Sequence, residues 1–385
     1  MLDRRDGFST RAIHAGEAKD PATGALNTPI YATATFAFDT AEEKEAAVDA
    51  ALDWQPGAFF YSRTGNPTTA AFEAKMASLE GAEDCVAASA GMASVAAALL
   101  SMLDAGDHCV ASDDLFIISR FLLDDVFSSK GISVDHVDVT DHAAVQAAIR
   151  PNTKVLFVEA LSNPHMRFAD IPRLSQLAHE HGLALVVDNT FLSPYLIRPI
   201  ELGADIVVNA ATKYIGGHGD VIAGTAAGPK VRVDRMRYYL DSLGGAVSAF
   251  NSWLLLRGVK TLQMRMRAHS ANGLAVAQYL QAQSEVEVVN YPGLTSHPQH
   301  DLAASLLTNG FGGMMSLRFH GGEPAMAAFS QALRLSAIAV SLGDLHSLVY
   351  PMPKRNALVR LSVGCEDIDD LLADYEMGIK AVANL

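Results

Sequence analysis

Val208-Asn209-Ala210-Ala211-Thr212-Lys213-Tyr214, running on into Ile215-Gly216-Gly217-His218-Gly219-Asp220, decides how the chain is read. The apolar run Ile206-Val207-Val208 gives way to small polar residues, then to one lysine ahead of a glycine-rich turn. A lysine ammonium is strongly hydrated; burial lowers its pKa, and the freed amine can condense with an aldehyde and later act as a base. Taken alone, Lys213 reads first as a solvated lysine at a strand end. Asp188, closing the buried run Ala184-Leu185-Val186-Val187, shifts that balance. An acid at such a point can keep a heteroaromatic ring nitrogen protonated, so that the ring remains an electron sink.

Working outward, strands are expected at 85–88, 107–111, 133–137, 154–158, 184–187 and 205–208, with helices between them. Connections of that length imply parallel pairing and a sheet covered on both faces. Ligands in such sheets sit beyond the carboxyl ends of the strands, the edge on which Ser89, Glu159, Asn163, Asp188 and Lys213 all fall. Ser89-Ala90-Gly91-Met92-Ala93-Ser94 is a small-residue turn opening into a helix, whose free N–H groups suit an anion. Upstream, Phe60-Tyr61-Ser62-Arg63-Thr64-Gly65-Asn66-Pro67-Thr68 is a loop ahead of a helix over 69–80. Arg63 there is either a rim arginine or a phosphate clamp. Residues 1–60 read as an irregular arm with an extended stretch at 29–38 and a short helix at 41–52, leaning on something else, a second subunit being the natural choice. A helical region over 250–283 leads to a C-terminal α/β portion, with strands at 313–319 and 358–363 and helices at 323–333 and 366–382. Arg360, a charge inside an alternating apolar strand, either faces solvent or seats a substrate carboxylate. The boundaries expected are an arm over 1–60, a large domain over 61–253 and a C-terminal domain over 254–385.

Composition narrows the function. Among 385 residues, 43 acidic side chains outweigh 29 basic ones, and the formal charge of −14 speaks against nucleic acid. No apolar run reaches the length of a membrane span, and Met1-Leu2-Asp3-Arg4-Arg5-Asp6 lacks a signal-peptide core. Cys85, Cys109 and Cys365 have no metal or redox spacing and sit in or beside apolar stretches, so packing and a reducing, cytoplasmic setting are expected. There is neither a GxxxxGK[ST] nor a GxGxxG motif, and His179-Glu180-His181 has the wrong spacing for a metal site.

Ala211-Thr212-Lys213-Tyr214, Val187-Asp188-Asn189-Thr190, Tyr61-Ser62-Arg63 and Tyr291-Pro292-Gly293-Leu294 together resemble the Cys/Met-metabolism family of enzymes dependent on pyridoxal 5'-phosphate (PLP), which serves transsulfuration. The resemblance extends from Ser9-Thr10-Arg11-Ala12-Ile13-His14-Ala15-Gly16 to Gly364-Cys365-Glu366-Asp367-Ile368-Asp369-Asp370-Leu371. Gly217-His218-Gly219-Asp220 and Ala339-Val340-Ser341-Leu342-Gly343-Asp344 look most like its γ-lyase branch. It implies a fold-type-I α/β transferase architecture, with a mostly parallel central sheet covered by helices and a smaller C-terminal α/β domain. It also implies a homotetramer of two tight dimers. By the same resemblance, Lys213 binds the cofactor covalently and Asp188 pairs with its ring nitrogen. The Gly91 and Met92 amides, with Thr212, hold its phosphate, and Tyr61 and Arg63 reach the phosphate in a neighbouring subunit. Asn163 meets either the cofactor hydroxyl side or the substrate carboxylate, which Ser341 and Arg360 seat. No metal is implied.

The chain also departs from the family pattern. Phe116 stands where a tyrosine is usual, keeping a stacking ring but losing the hydroxyl. Ile117-Ile118 replace Gly-Gly or Gly-Cys, Ala210 replaces a phosphate-binding serine, and His346 replaces a glutamate. Val340 lies just ahead of Ser341, where cystathionine-handling members carry glutamate, which disfavours that substrate. The loop Val349-Tyr350-Pro351-Met352-Pro353-Lys354-Arg355-Asn356 is shortened. The expected activity is γ-elimination from a methionine- or homocysteine-like amino acid or an O-substituted homoserine such as canavanine. The alternative is γ-replacement on O-acetyl- or O-succinylhomoserine, and a third class is a noncatalytic protein of the same fold.

Overall fold

Alternate residues of the central strands feed two different cores. In the computed structural model, which describes residues 5–385, Leu156, Val158, Leu185, Val187 and Val207 pack into one apolar cluster. Their neighbours Val155, Phe157, Val186, Ile206 and Val208 pack into another. Side chains alternate across a strand, so both faces of this sheet are covered. Residues 1–4, which begin both the arm and the stretch read as lacking a signal-peptide core, lie outside the described residues.

Among the described residues the strands build two sheets. The larger contains β1 (Asp84–Ala88), β2 (His108–Ser112), β3 (Ser133–Val137), β4 (Thr153–Glu159), β5 (Ala184–Asp188), β6 (Ile206–Asn209) and β7 (Gly224–Gly228), in the order β1-β7-β6-β5-β4-β2-β3. The pairs β2–β3, β2–β4, β4–β5 and β5–β6 are parallel. The sequence did not foretell β7, which pairs antiparallel with both β6 and β1. Its sequence Gly-Thr-Ala-Ala-Gly has little strand propensity. Gly224 is demanded by a close approach, since a Cβ there would press on Ala90 O and on Gly91 Cα.

The smaller sheet contains β8 (Val286–Asn290), β9 (Met314–Phe319), β10 (Ala337–Ile338), β11 (Leu348–Met352) and β12 (Leu358–Ser362), in the order β10-β11-β12-β9-β8. Helices Gly322–Ala332 and Ile368–Ala383 contribute Phe329 and Tyr375 to its core. The segment expected as a shortened loop is partly β11 and the 3-10 turn Pro353–Arg355. Helix Leu262–Gln281 joins the two cores: Leu262 and Met266 pack with the large sheet, Val276 and Leu280 with the small one. The molecule is therefore α/β, with a mostly parallel central sheet and a smaller C-terminal α/β part.

The arm is tied first to its own chain. Lys75 Nζ donates to the carbonyls of Ala12 and Ile13 at 2.8 and 3.0 Å and pairs with Glu17 at 3.0 Å. Helix Ala41–Leu52 forms where expected, capped by Thr40, but Ala51 is its buried residue and the rest of its surface is largely open. Cys85 and Cys109 are wholly buried in β1 and β2, and Cys365 is half-buried. Burial pushes the Cys109 thiol up to about 12 and that of Cys365 to about 11. Among the described residues, no helix is long and apolar enough to cross a membrane.

Candidate active site

Lys213 leaves β6 in a turn closed by Lys213 N–H to Ala210 O (3.0 Å) and Gly217 N–H to Lys213 O (2.8 Å). The turn is fastened on two sides. Thr212 Oγ1 donates to Ala223 O (3.1 Å) and accepts from Ala223 N–H (3.0 Å). The Arg265 guanidinium donates to Tyr214 O (2.6 Å) and Gly258 O (2.9 Å). Gly217 has φ +72°, and any side chain there would run into Arg265.

The lysine points at the smaller sheet. Its Nζ donates to Ser341 Oγ at 2.6 Å. Burial, aided by the charge of Arg360, lowers its pKa to about 8. Ser341 is held at φ +85°, a backbone conformation that costs a non-glycine residue about 1–3 kcal/mol and persists when surrounding contacts impose it. One such contact is Arg360, which donates to Ser341 O (3.0 Å) and to Asn163 Oδ1 (3.1 Å). Arg360, on β12, is only 6% exposed. Of its two sequence-level readings, the surface-facing one is excluded. Its guanidinium carbon lies 5.1 Å from the centroid of the Tyr350 ring, and Tyr350 is its direct partner across the β11–β12 pairing.

Two carboxylates end adjacent strands beneath this group: Glu159 and Asp188 are partners in the β4–β5 register. Asp188 Oδ1 accepts from Thr190 N–H at 2.9 Å. Burial raises its pKa, against the Thr190 hydrogen bonds. Glu159 accepts from Phe116 N–H (2.6 Å) with one oxygen and from Asn163 N–H (3.0 Å) with the other. Burial and then the Asp188 charge push the Glu159 carboxyl well above the usual carboxylate range. Thr190 Oγ1 also accepts from Ala210 N–H (2.8 Å), so the lysine turn is pinned to the Asp188 loop through the Ala210 backbone.

Helix Gly91–Leu100 aims its N-terminus at the same place. Ala90 offers no side-chain cap, and the Gly91 and Met92 N–H groups have no partner among the described residues. Gly91 abuts the lysine turn so closely that a Cβ there would sit 2.6 Å from Ala210 Cβ.

The structure thus brings together Lys213, Ser341, Arg360, Asn163 and Asp188, with Thr212, Gly91 and Met92 alongside. Tyr61 and Arg63 do not join them within one chain. Arg63 Nε pairs with Asp241 at 2.7 Å, and its guanidinium lies over the Tyr61 ring. Phe116 is attached to the cluster by its backbone, with its side chain 40% exposed, and Val340 stands out at 69%. The sequence put Glu159 on the rim but gave it no role, and it did not single out Tyr350. An acid closing the apolar run Val155-Leu156-Phe157-Val158 was the available signal for the first; the second depends on strand register, which the sequence does not print.

The profile of the Cys/Met metabolism PLP-dependent enzyme family matches residues 9–380. The chain is 42% identical to an L-methionine gamma-lyase of Pseudomonas putida, covering 98% of each. It is also 42% identical to a cystathionine gamma-synthase of Mycobacterium bovis, covering 97% of each. Its fold matches the crystal structure of metB from Corynebacterium glutamicum with a TM-score of 0.92 and 39% identity, over 98% of this chain and 99% of that one.

Proposed function

Because the chain belongs to the Cys/Met metabolism PLP-dependent enzyme family, we propose that it carries out γ-elimination on a γ-substituted L-amino acid. The substrate is a methionine- or homocysteine-like thioether or thiol, or an O-substituted homoserine such as canavanine. Pyridoxal 5'-phosphate is the cofactor, and similarity to a γ-lyase and a γ-synthase supports γ-elimination or γ-replacement as the class of reaction.

The residues present fit that cofactor. The unpartnered Gly91 and Met92 N–H groups at an uncapped helix N-terminus suit its phosphate, with Thr212 beside them. Asp188, the one residue of β5 that is not fully buried, suits the ring nitrogen, and the Lys213 amine is poised to bond the aldehyde. Tyr61 and Arg63 serve the phosphate of a neighbouring subunit in a homotetramer, to which the arm contributes. When bound, the cofactor supplies an electron sink for the carbanion at Cα.

The reading rests on one observation: the base and the carboxylate seat meet at one residue. Lys213 Nζ bonds the Ser341 hydroxyl while Arg360 grips the Ser341 carbonyl and the Asn163 amide. Arg360 and Asn163 therefore hold the α-carboxylate, and Ser341 steers the Lys213 amine toward the proton on Cα. Lowered to about 8, the pKa of that amine leaves a minor but usable neutral fraction at neutral pH, far more than an ordinary lysine has, which can take the proton and hand it on. Phe116 brings a ring and no acid, so the departing γ-group leaves without a proton from this position. That favours a leaving group needing little acid help, such as an oxyguanidine. Val340 brings no carboxylate for a distal ammonium, which disfavours cystathionine.

The second reading, γ-replacement on O-acetyl- or O-succinylhomoserine, is favoured by the 42% identity to a cystathionine gamma-synthase. Purified protein offered methionine, homocysteine, canavanine and both homoserine esters, with and without sulfide or cysteine, separates the two. Product formed from the amino acid alone supports elimination; product only with a thiol supports replacement.

A further inference from the structure

Beneath the substrate seat lies a buried acid that the proposed reaction does not use. Glu159 closes β4, directly opposite Asp188, and is only 6% exposed. A carboxylate that deep beside a second carboxylate is costly, and space-filling does not require it, since glutamine has the same shape. What a carboxylate supplies and an amide cannot is an acceptor at both ends, and the Phe116 and Asn163 N–H groups favour that charged form against the burial and the Asp188 charge that disfavour it. Both ends are used: Phe116 N–H donates to Oε1 at 2.6 Å and Asn163 N–H to Oε2 at 3.0 Å. From Asn163 the contacts continue without a break. Its Oδ1 takes Arg360, Arg360 takes the Ser341 carbonyl, and the Ser341 hydroxyl takes Lys213.

We propose that Glu159 is a positioning residue for the substrate carboxylate: its two oxygens lock the backbones of Phe116 and Asn163 to one point on β4, and so fix where the Asn163 amide and the Arg360 guanidinium meet the substrate. This rests on the reading of Asn163 and Arg360 as the carboxylate seat. In Glu159→Gln one oxygen becomes an NH2 group facing a peptide N–H, donor against donor, and one of the two anchors is lost.

The test is binding to the holoenzyme, followed by the visible absorption of the cofactor, with glycine and methylamine as ligands. Glycine carries the α-carboxylate and methylamine does not, so the ratio of their dissociation constants reads the seat alone, whatever the γ-chemistry. Glu159→Gln is expected to weaken glycine by about tenfold while methylamine binding and the melting temperature stay near wild type. Arg360→Met serves as the reference. If Arg360→Met loses the preference for glycine and Glu159→Gln keeps it, the positioning role is overturned and the seat stands. If both keep it, the seat itself is wrong and the role falls with it. Should Glu159→Gln fail to fold or to hold its cofactor, hydrogen exchange on the wild-type enzyme decides. The Phe116 and Asn163 amides must be protected together, and exchange of either at the rate of an open loop overturns the proposal.

Discussion

In the proposed reaction Lys213 acts through its protonation state. Burial favours the neutral amine and brings its pKa from the ordinary lysine value of 10.5 to about 8. The neutral form attacks the cofactor aldehyde, so covalent uptake of pyridoxal phosphate by the cofactor-free protein should slow about tenfold per pH unit below 8 and level off above it. The rise of visible absorption after mixing, measured across neutral and alkaline pH, checks this; a rate still climbing steeply toward pH 10 contradicts it. At Phe116 the missing hydroxyl makes a separate claim. Phe116→Tyr is expected to raise kcat on thioether substrates, whose leaving thiolate gains from a nearby acid, by about tenfold or more. It should do little for canavanine. Equal gains on every substrate would place the hydroxyl's effect at a step common to all of them and overturn the leaving-group reading.

At the scale of elements, the β11–β12 pairing does what neither strand does alone. It sets Tyr350 opposite Arg360, with the guanidinium 5.1 Å from the ring centroid. A cation over an aromatic face in a desolvated site contributes about 1–2 kcal/mol. Tyr350→Leu should therefore raise KM for the amino acid by about five- to thirtyfold with a smaller effect on kcat, and Tyr350→Phe should stay close to wild type. Steady-state kinetics on both variants checks it. This pairing also marks how far the sequence could be read. The strands that end in Glu159, Asp188 and Asn209 were legible because branched apolar runs stopped at polar residues. Lys213 and Asp188 stood out as candidate site residues for the same reason. β7 was not, because glycine and alanine stand where neighbouring backbones crowd in. β11 was not, because Pro351 and Pro353 speak for a loop. Tyr350 and the double anchoring by Glu159 arise from residues far apart in the chain, which no local pattern encodes.

At the scale of the whole molecule, the chain does not gather all its expected phosphate ligands by itself. Arg63 is held by Asp241 of the same chain, and helix Ala41–Leu52 offers most of its surface to solvent. Both features support an arm completed by a neighbour. If Arg63 serves the adjoining subunit, then Arg63→Ala and Lys213→Ala proteins, each of low activity, should complement one another when dissociated, mixed and reassociated. The mixed dimer rebuilds one site with both residues intact, so activity should recover to about a quarter of wild type, the statistical share expected from random pairing. No recovery would put Arg63 to work within its own subunit. The cysteines carry a further consequence. With Cys85 and Cys109 sealed in the sheet and Cys365 pushed up to about 11, the protein holds almost no thiolate at neutral pH. Native enzyme should keep its activity and stay unlabelled under iodoacetamide, and it should resist mixed-disulfide exchange with added oxidised glutathione.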